Sequence, residues 1–171
     1  PYIEFQKVSK KYGKNLVLDG INLSIPFGEI TGIIGASGCG KTTILNMLIG
    51  FYKPTTGKIK FQSRDIRKDY KNITTIFGFA SQGGSFYNEL TVKENLFYFG
   101  KLYDMKSKVI NARIDELLKL LEIGHTKDYL ARNMSTGMQR RLDIACALIH
   151  NPKVLILDEP TEDLDPLLRR E

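Results

Sequence analysis

The order of hydrophobic and polar positions along the chain predicts an alternation of strands and helices. Apolar and polar residues alternate in YIEFQKV (2–8) and LVLDGINLSI (16–25), which predicts two strands of a half-buried sheet. EITGIIG (29–35) is a short apolar run that ends in a glycine-rich turn, and KTTILNMLIG (41–50) follows it with helical spacing. We therefore expect a third strand that runs through a tight turn into a helix, as in a βαβ unit.

The pattern changes from strands to helices after residue 82. KPTTGKIKF (53–61) predicts a turn and a strand, and ITTIFGFASQ (73–82) predicts a further strand. In the next apolar stretch Thr91 precedes Glu94 by three positions, which is the spacing of a capping box at a helix N-terminus. A helix is expected from that point.

Two further stretches carry one apolar face at helical spacing. The positions of the first face are Ile110, Ile114, Leu117, Leu118 and Leu121, and those of the second are Met138, Leu142, Ala145, Cys146 and Ile149. Both faces are expected to lie in a core. KVLILDE (153–159) then returns to a buried strand, so a strand-rich part, a helical insert and a closing strand follow one another along the chain.

Composition and charge limit the classes of protein that this pattern allows. With 171 residues, of which 42% are hydrophobic and 26% charged, the chain is long enough for one globular α/β domain. No apolar run approaches 18 residues, so no membrane-spanning helix is predicted, and two cysteines without metal-type spacing favour a reducing compartment. The net charge of +6 fits a polyanionic partner and equally fits lysines scattered over a surface. Because the chain begins with Pro1 and ends in a charged helical run, we expect a fragment.

The strongest chemical signal is GASGCGKTT (35–43), which satisfies G-x-x-x-x-G-K-[ST] between a predicted strand and a predicted helix. Its glycines allow several N–H groups to point inward at phosphate oxygens, and the helix N-terminus adds partial positive charge. Lys41 would bridge the β- and γ-phosphates, and Thr42 would offer a hydroxyl to Mg²⁺. A glycine loop with a purely structural role is the alternative.

A second signal is the pair of acids that ends VLILDE (154–159). Four apolar residues deliver Asp158 and Glu159 to the carboxyl end of a strand, where open α/β sheets bind their ligands. Asp158 could hold a water of a Mg²⁺ shell, and Glu159 could orient or deprotonate a water beside the γ-phosphate. Taken without the glycine-rich loop, the same acids could simply be solvated.

These motifs together resemble the nucleotide-binding domain of an ATP-binding cassette (ABC) ATPase. GASGCGKTT resembles the Walker A loop, and VLILDE followed by PTEDLDP (160–166) resembles Walker B and the D-loop. Gln82 matches the family's Q-loop glutamine, and Tyr12 matches the aromatic residue that stacks on adenine. The five motifs occur in the family's order along the chain.

MSTGMQ (134–139) occupies the place of the family's signature, usually written LSGGQ. Ser135 and Gly137 match it, whereas three positions depart from the commonest form: Met134, Thr136 and Met138. Ser135 is also a good N-cap, and the amides of the helix that it begins make an anion site. The alternative is that Ser135 only caps its helix.

The resemblance implies a fold and a set of site residues. The fold is an α/β P-loop NTPase (RecA-like) core with an N-terminal antiparallel β subdomain and an inserted α-helical signature subdomain. It forms one domain, with 1–82 and 151–171 as catalytic core and 83–150 as helical subdomain, and it lacks the C-terminal part with the switch histidine. The implied catalytic residues are Glu159, Lys41 and Gln82, and the implied Mg²⁺ ligands are Thr42, Gln82 and Asp158. The implied ATP-binding residues are Tyr12, Gly35, Ala36, Ser37, Gly38, Cys39, Gly40, Lys41, Thr42, Thr43, Ser135 and Gly137.

The resemblance also implies partners and a task. ATP-driven pairing with a second nucleotide-binding domain, identical or different, would power export of a small molecule, lipid or polysaccharide through separate permease subunits in the membrane. The chain would then lie on the cytoplasmic face of the cell membrane, and no specific nucleic acid is expected. The alternative is a soluble ABC ATPase that acts on ribosomes or nucleic acid. A general P-loop kinase or GTPase is disfavoured, because the chain has signature and D-loop segments and lacks the guanine-specific N-K-x-D.

Overall fold

The computed structural model describes residues 1–68 and 75–159. The chain divides into two compact units, residues 1–74 and 75–171, which are described one at a time. Residues 73 and 74 of one predicted strand, and the D-loop segment 160–166, lie outside the described residues. Among the helices that are described, none has both the length and the apolar composition needed to cross a membrane.

The first unit is built on an antiparallel sheet of four strands in the order β2-β1-β3-β4. Its elements are β1 (Ile3–Tyr12), β2 (Asn15–Ile25), α1 (Lys41–Leu48), β3 (Thr56–Phe61) and β4 (Arg64–Asp65). β1 and β2 form a hairpin in which Ile3 faces Ile25, and Ile3 faces Phe61 on the other side. The strands predicted at 2–8, 16–25 and 53–61 and the helix at 41–50 are confirmed.

One face of this sheet supplies the apolar core of the first unit. The buried side chains of this core are Ile3, Phe5, Val8, Leu18, Ile59 and Phe61 from the strands, Met47 and Leu48 from α1, and Ile66 after β4. The alternating pattern of β1 and β3 produces this face, since successive residues of a strand point to opposite sides of the sheet.

The strand predicted at 29–35 is not formed, and that prediction is wrong. No regular structure is assigned to this segment, and Ile30 and Ile34 are 104% and 97% exposed. An apolar strand gains stability from ladder hydrogen bonds and from burial of its side chains, and within the described residues no strand pairs with this segment. Periodicity alone does not reveal whether such a segment has neighbours.

In its described residues, 75–159, the second unit contains two parallel strands and three helices. Its elements are β5 (Phe77–Ala80), α2 (Val92–Leu102), α3 (Ser107–Leu120), α4 (Thr136–Leu148) and β6 (Val154–Leu157), with short 3₁₀ turns at Gly124–Thr126 and Ala131–Asn133. β5 and β6 pair in parallel from Phe77 opposite Val154 to Ala80 opposite Leu157. Parallel neighbours require a long crossover, and the helices between residues 81 and 153 provide it.

The helices of the second unit follow their predicted patterns. The Thr91–Glu94 capping box is present, because the Glu94 amide donates to Thr91 Oγ1 at 3.2 Å and the Thr91 amide donates to Glu94 Oε2 at 2.8 Å. The two predicted apolar faces form the core, with Leu121 and Met138 partly buried at its edge. The fully buried members of these faces are Ile110, Ile114, Leu117, Leu118, Leu142, Ala145, Cys146 and Ile149.

The expectation of a buried strand at 153–159 needs a correction. β6 forms where it was predicted, but only Ile156 of its four residues is buried, and Leu155 is 39% exposed. β5 is its only ladder partner among the described strands, so part of β6 remains accessible.

β5 and α4 approach each other closely at Gly78. A Cβ atom at this position would lie 2.3 Å from the Ala147 carbonyl oxygen and 2.8 Å from Pro152 Cγ. Only glycine allows the helix and the strand to pack at this distance. The division of the chain into a core at 1–82 and 151–171 and a helical part at 83–150 remains a prediction.

Candidate functional site

The glycine-rich loop lies between β2 and α1 in the first unit. Gly38 and Gly40 have φ values of 76° and 102°, in the left-handed region that favours glycine. A Cβ at Gly40 would lie 2.8 Å from Leu18 Cδ2 and 3.2 Å from Val17 Cγ1, so the loop rests on β2 where only a glycine fits. Gly40 is also the N-cap of α1, and it offers no side chain to the first helical amides.

The lysine of the loop is directed back at the loop's own backbone. Lys41 Nζ donates to the carbonyl oxygens of Gly35 and Ala36, each at 3.1 Å. The Cys39 amide donates to the Ala36 carbonyl oxygen at 3.3 Å, which closes the turn that holds the two acceptors. The arrangement places one ammonium charge and the N-terminus of a helix around one short stretch of backbone, and both favour an anion.

The other predicted members of the loop lie around this centre. Ser37, Cys39 and Thr42 are exposed, and Thr43 is half-buried within α1. The Ile44 amide makes a helical bond to the Gly40 carbonyl oxygen at 3.0 Å, so α1 is formed from its first turn. The first amides of a helix have no acceptor inside the helix, and Thr42 belongs to this first turn of α1.

Tyr12 ends β1 in the same unit as the loop. Its ring is 42% exposed and meets the ring of Tyr52 edge to face, with centroids 5.9 Å apart. Lys10 Nζ lies 4.9 Å from the Tyr12 ring centroid. Lys10 is paired with Leu18, the residue that contacts Gly40, so the ring and the loop are attached to neighbouring positions of one hairpin. An exposed ring of this kind can stack on a flat base.

In the second unit, three predicted residues meet at one edge of the parallel sheet. Gln82 follows β5, and Asp158 and Glu159 follow β6. The two strands end level with each other, because the Asp158 amide donates to the Ala80 carbonyl oxygen at 3.0 Å. Gln82 is exposed, Asp158 is 4% exposed and Glu159 is half-buried. One amide and two carboxylates are thus brought to the carboxyl ends of parallel strands, the usual ligand position in open α/β sheets.

Glu159 has an unusual backbone conformation. Its φ is 49°, in the left-handed region that non-glycine residues rarely adopt. Such a conformation costs about 1–3 kcal/mol and is concentrated at functional sites. Asp158 and Glu159 follow the end of β6, and the backbone at Glu159 does not continue the extended conformation of the strand.

The predicted signature segment begins α4. Ser135 is the N-cap, and its Oγ accepts a hydrogen bond from the Met138 amide at 3.4 Å, which confirms the predicted cap. A Cβ placed on Gly137 would meet no heavy atom within 4 Å, and its φ is not positive. Neither space nor backbone conformation in the described residues requires a glycine there.

Two charged residues on α4 were not predicted from the sequence. Arg140 donates from Nη1 to the Ser81 carbonyl oxygen and, at 3.1 Å, to Asp143 Oδ2, and from Nη2 to the Asp158 carbonyl oxygen at 2.9 Å. Asp143 Oδ1 accepts from the Ser85 amide at 2.7 Å. Their three-residue spacing indicates a shared helical side, but nothing in the sequence points to these acceptors.

Burial determines the protonation behaviour of two groups on this helix. Desolvation raises the pKa of Asp143, opposed by the Ser85 amide and by the charge of Arg140. Burial also raises the pKa of the Cys146 thiol, and the nearby Asp143 carboxylate adds to the effect. The Cys146 thiol is therefore an unreactive core group, as its place in the apolar face predicts.

The folded elements and these residues define a class. A glycine-rich loop leads into a helix, and the acids after β6 and the glutamine after β5 occupy one edge of a parallel sheet. The chain is an α/β P-loop NTPase.

Comparison with known proteins identifies the family. Residues 18–162 match the family described as ABC transporter, and the chain belongs to that family. It is 38% identical over 167 residues to the Nod factor export ATP-binding protein I of Paraburkholderia xenovorans (strain LB400). The aligned region covers 98% of this chain and 55% of that protein. It is 39% identical over 165 residues to the bacitracin transport ATP-binding protein BcrA of Bacillus licheniformis, which covers 96% of this chain and 53% of that protein.

A solved structure shows the same fold over nearly the whole chain. It is CbiO1 from Clostridium perfringens, described as part of the ABC transporter complex CbiONQ, with a TM-score of 0.86 and 32% identity over 97% of this chain and 68% of that one. The chain spans about half the length of the curated relatives named above.

Proposed function

We propose that this chain binds Mg·ATP and hydrolyses it as the nucleotide-binding part of a transporter. The observation that carries the proposal is the loop at 35–43, where Nζ of Lys41, the first residue of α1, lies 3.1 Å from the carbonyl oxygens of Gly35 and Ala36. Left-handed glycines, a lysine and a helix N-terminus are the elements that hold the phosphates in P-loop proteins. Gly35, Ala36, Ser37, Gly38, Cys39, Gly40, Lys41, Thr42 and Thr43 are assigned to the phosphates.

Each unit offers oxygen donors of the kind that a magnesium ion carried by the nucleotide would take. Mg²⁺ in such proteins takes one or two protein ligands and completes its shell with phosphate oxygens and water. Thr42 supplies an exposed hydroxyl beside the loop, and Asp158 and Gln82 supply a carboxylate and an amide oxygen at the sheet edge. When bound, the ion would neutralise charge on the β- and γ-phosphates.

The chain's own residues divide the remaining tasks. Lys41 and the loop amides stabilise negative charge on the transferred phosphoryl group, since donors fixed before the reaction need no reorganisation. Glu159 orients the attacking water and accepts its proton, and Gln82 responds to the γ-phosphate. Tyr12 stacks on the adenine ring, a role supported by its exposed ring on the hairpin that carries the loop.

We assign Ser135 and Gly137 to the nucleotide of a second nucleotide-binding domain. The support is that Gly137 lies in the first turn of α4 with open space around it, although glycine there costs about 1 kcal/mol relative to alanine. Gly137 has room for a larger side chain and is nevertheless a glycine, so this position is suited to the close approach of another molecule. Hydrolysis then requires a dimer, of identical or different domains.

We propose the transport direction by analogy with two of the relatives. One is named a Nod factor export protein and another a bacitracin transport protein, and both are called ATP-binding proteins. By analogy, this chain powers export through separate membrane subunits and lies on the cytoplasmic face of the cell membrane. The CbiONQ complex supports a partnership with other subunits.

The test uses the full-length protein and the change Glu159→Gln. We expect ATP binding to persist, because the glutamine keeps the size of the side chain, and turnover to fall by about 100-fold or more. Glu116→Gln is the matched control, since Glu116 is 63% exposed and pairs with Arg113 on the surface of α3. It should leave both quantities unchanged.

Four results would count against the proposal. Unchanged turnover in Glu159→Gln would remove the role of Glu159, and failure of the wild type to bind ATP would remove the proposal itself. In vesicles that enclose ATP and carry the membrane subunits with their ATP-binding side inward, ATP-driven uptake instead of efflux would refute the export direction. Recovery of ribosomes instead of membrane subunits would refute the partnership.

A further inference from the structure

Arg140 joins the ends of both parallel strands to the helix that begins with the signature segment. One nitrogen of its guanidinium donates to the Ser81 carbonyl oxygen, after β5, and the other donates to the Asp158 carbonyl oxygen, after β6, at 2.9 Å. The side chain is 14% exposed. A single planar group on α4 therefore holds the backbone at two strand ends.

Asp143 fixes the orientation of this guanidinium. Its side chain is 1% exposed. Oδ2 accepts a hydrogen bond from Arg140 Nη1 at 3.1 Å, and Oδ1 accepts one from the Ser85 amide at 2.7 Å. A buried carboxylate is tolerated only when its oxygens are paired, and here each oxygen has a donor. Arg140 and Asp143 thus form one buried unit with the segment that follows β5.

The two carbonyl groups that receive Arg140 belong to the residues immediately before Gln82 and Glu159. We infer that Arg140 is a positioning residue: it sets the backbone from which Gln82 and Glu159 project, and it links that backbone to the start of α4. The inference rests on the proposed function, because it gives Gln82 and Glu159 their tasks. Arg140 itself touches no reacting atom.

Ser135 and Arg140 lie close together along α4. Arg140 follows Ser135 by five residues on one continuous helix, about 7.5 Å along its axis. A helix of this length moves as a rigid body, so a shift of its first turn would also shift the guanidinium and the two strand ends. Engagement of Ser135 and Gly137 by a partner's nucleotide is thereby coupled to the chain's own Gln82 and Glu159.

Only an arginine can make this link. The guanidinium presents its donors in a fixed planar fork, so two nitrogens reach two carbonyl oxygens and a carboxylate at once, whereas a lysine ammonium is a compact point charge. Arg140→Lys therefore keeps the charge beside Asp143 and loses the bridge. Arg141→Lys is the matched control, because Arg141 is 47% exposed and donates only to Leu121 and Glu122 in the described structure.

The experiment measures ATPase kinetics and amide hydrogen exchange in the full-length protein. In Arg140→Lys we expect kcat to fall by about tenfold to a hundredfold, since a misplacement of about 1 Å by a distant group can cost that much. KM for ATP should stay within about twofold, because the phosphate loop is untouched. Exchange of the amides at 81–85 should become faster. Arg141→Lys should leave all three quantities at wild-type values.

Asp143→Asn is a second variant, for the case that Arg140→Lys does not fold. It keeps a carbonyl acceptor for the Ser85 amide but weakens the hold on the guanidinium, so a smaller fall in kcat with unchanged KM is expected. The inference is overturned if Arg140→Lys keeps the wild-type kcat, or if its activity falls only in proportion to the folded fraction measured by thermal unfolding. It is also overturned if exchange at 81–85 is unchanged.

Failure of this inference and failure of the proposed function give different results. If Glu159→Gln abolishes turnover while Arg140→Lys is normal, only the positioning role is lost. If the wild type does not hydrolyse ATP, the proposed function is lost together with the inference.

Discussion

Gly137 provides the sharpest test of the assignment of α4 to a partner's nucleotide. The perturbation is Gly137→Ala, which adds one methyl group in the first turn of the helix. No heavy atom lies within 4 Å of the added Cβ, and the backbone does not require a positive φ. Within the described structure the methyl group therefore meets no obstacle.

The expected effect on stability follows from that open space. A glycine-to-alanine change at a compatible position stabilises a protein by about 0.4–1 kcal/mol, because the unfolded chain loses conformational freedom. In a protein of this size, 1 kcal/mol raises the melting temperature by about 2–4 °C. Gly137→Ala should thus melt about 1–4 °C above the wild type.

The expected effect on activity has the opposite sign. If a partner's nucleotide packs against Gly137, a methyl group forced into that contact costs about 1–3 kcal/mol, which corresponds to about a 5- to 150-fold loss of turnover. The assay combines thermal unfolding with steady-state ATPase rates in the full-length protein. A variant that is more stable and less active separates a lost contact from lost folding.

Gly124→Ala is the matched control. Gly124 begins a 3₁₀ turn, and the nearest atom to its added Cβ is the Leu118 carbonyl oxygen at an ordinary 4.0 Å. It should gain similar stability and keep full activity. Wild-type turnover in Gly137→Ala would refute the contact between Gly137 and a partner's nucleotide. A loss of stability in this variant would show that the added methyl group does not enter open space.

Two further predictions concern titratable side chains. Cys39 is exposed and Cys146 is buried, so alkylation of the native protein should modify Cys39 first, and Cys146 should react only after unfolding. Mg·ATP should protect Cys39 from alkylation. If Mg·ATP does not protect Cys39, the placement of the phosphates is contradicted. Burial lowers the pKa of His150, opposed by its hydrogen bond with the Phe77 carbonyl oxygen, so its contribution to stability is complete above pH 6.5 and declines as the pH falls below that value. The melting temperature measured between pH 7.5 and 5.5 should fall less in His150→Gln than in the wild type, and an equal fall would show that His150 is not the cause.

Local features were predicted from the sequence where one segment contains everything that its structure needs. The Thr91–Glu94 capping box and the Ser135 cap join residues three positions apart, and both form as expected. The apolar faces of α3 and α4 are buried as their spacing predicts. In each case a short stretch of chain specifies its own geometry, and the glycine-rich loop at 35–43 combines such a stretch with a helix start.

Features that depend on distant neighbours were not predicted. The apolar segment 29–35 reads as a strand, but Ile30 and Ile34 are exposed because no described strand pairs with it. In the sequence, Arg140 and Arg141 are two adjacent arginines of equal appearance. In the folded chain one is 14% exposed and bridges two strand ends, and the other is 47% exposed on the surface.

The sequence by itself determined the class of this protein, because the phosphate loop, the strand-end acids and the helix caps are encoded within a few residues each. Only the tertiary structure decided which charged group connects α4 to the backbone before Gln82 and Glu159. The physical reason is that a side chain's energy depends on its burial and on its acceptors. The two backbone acceptors of Arg140 lie 59 and 18 positions away along the chain, so they reach it only when β5, β6 and α4 have packed together.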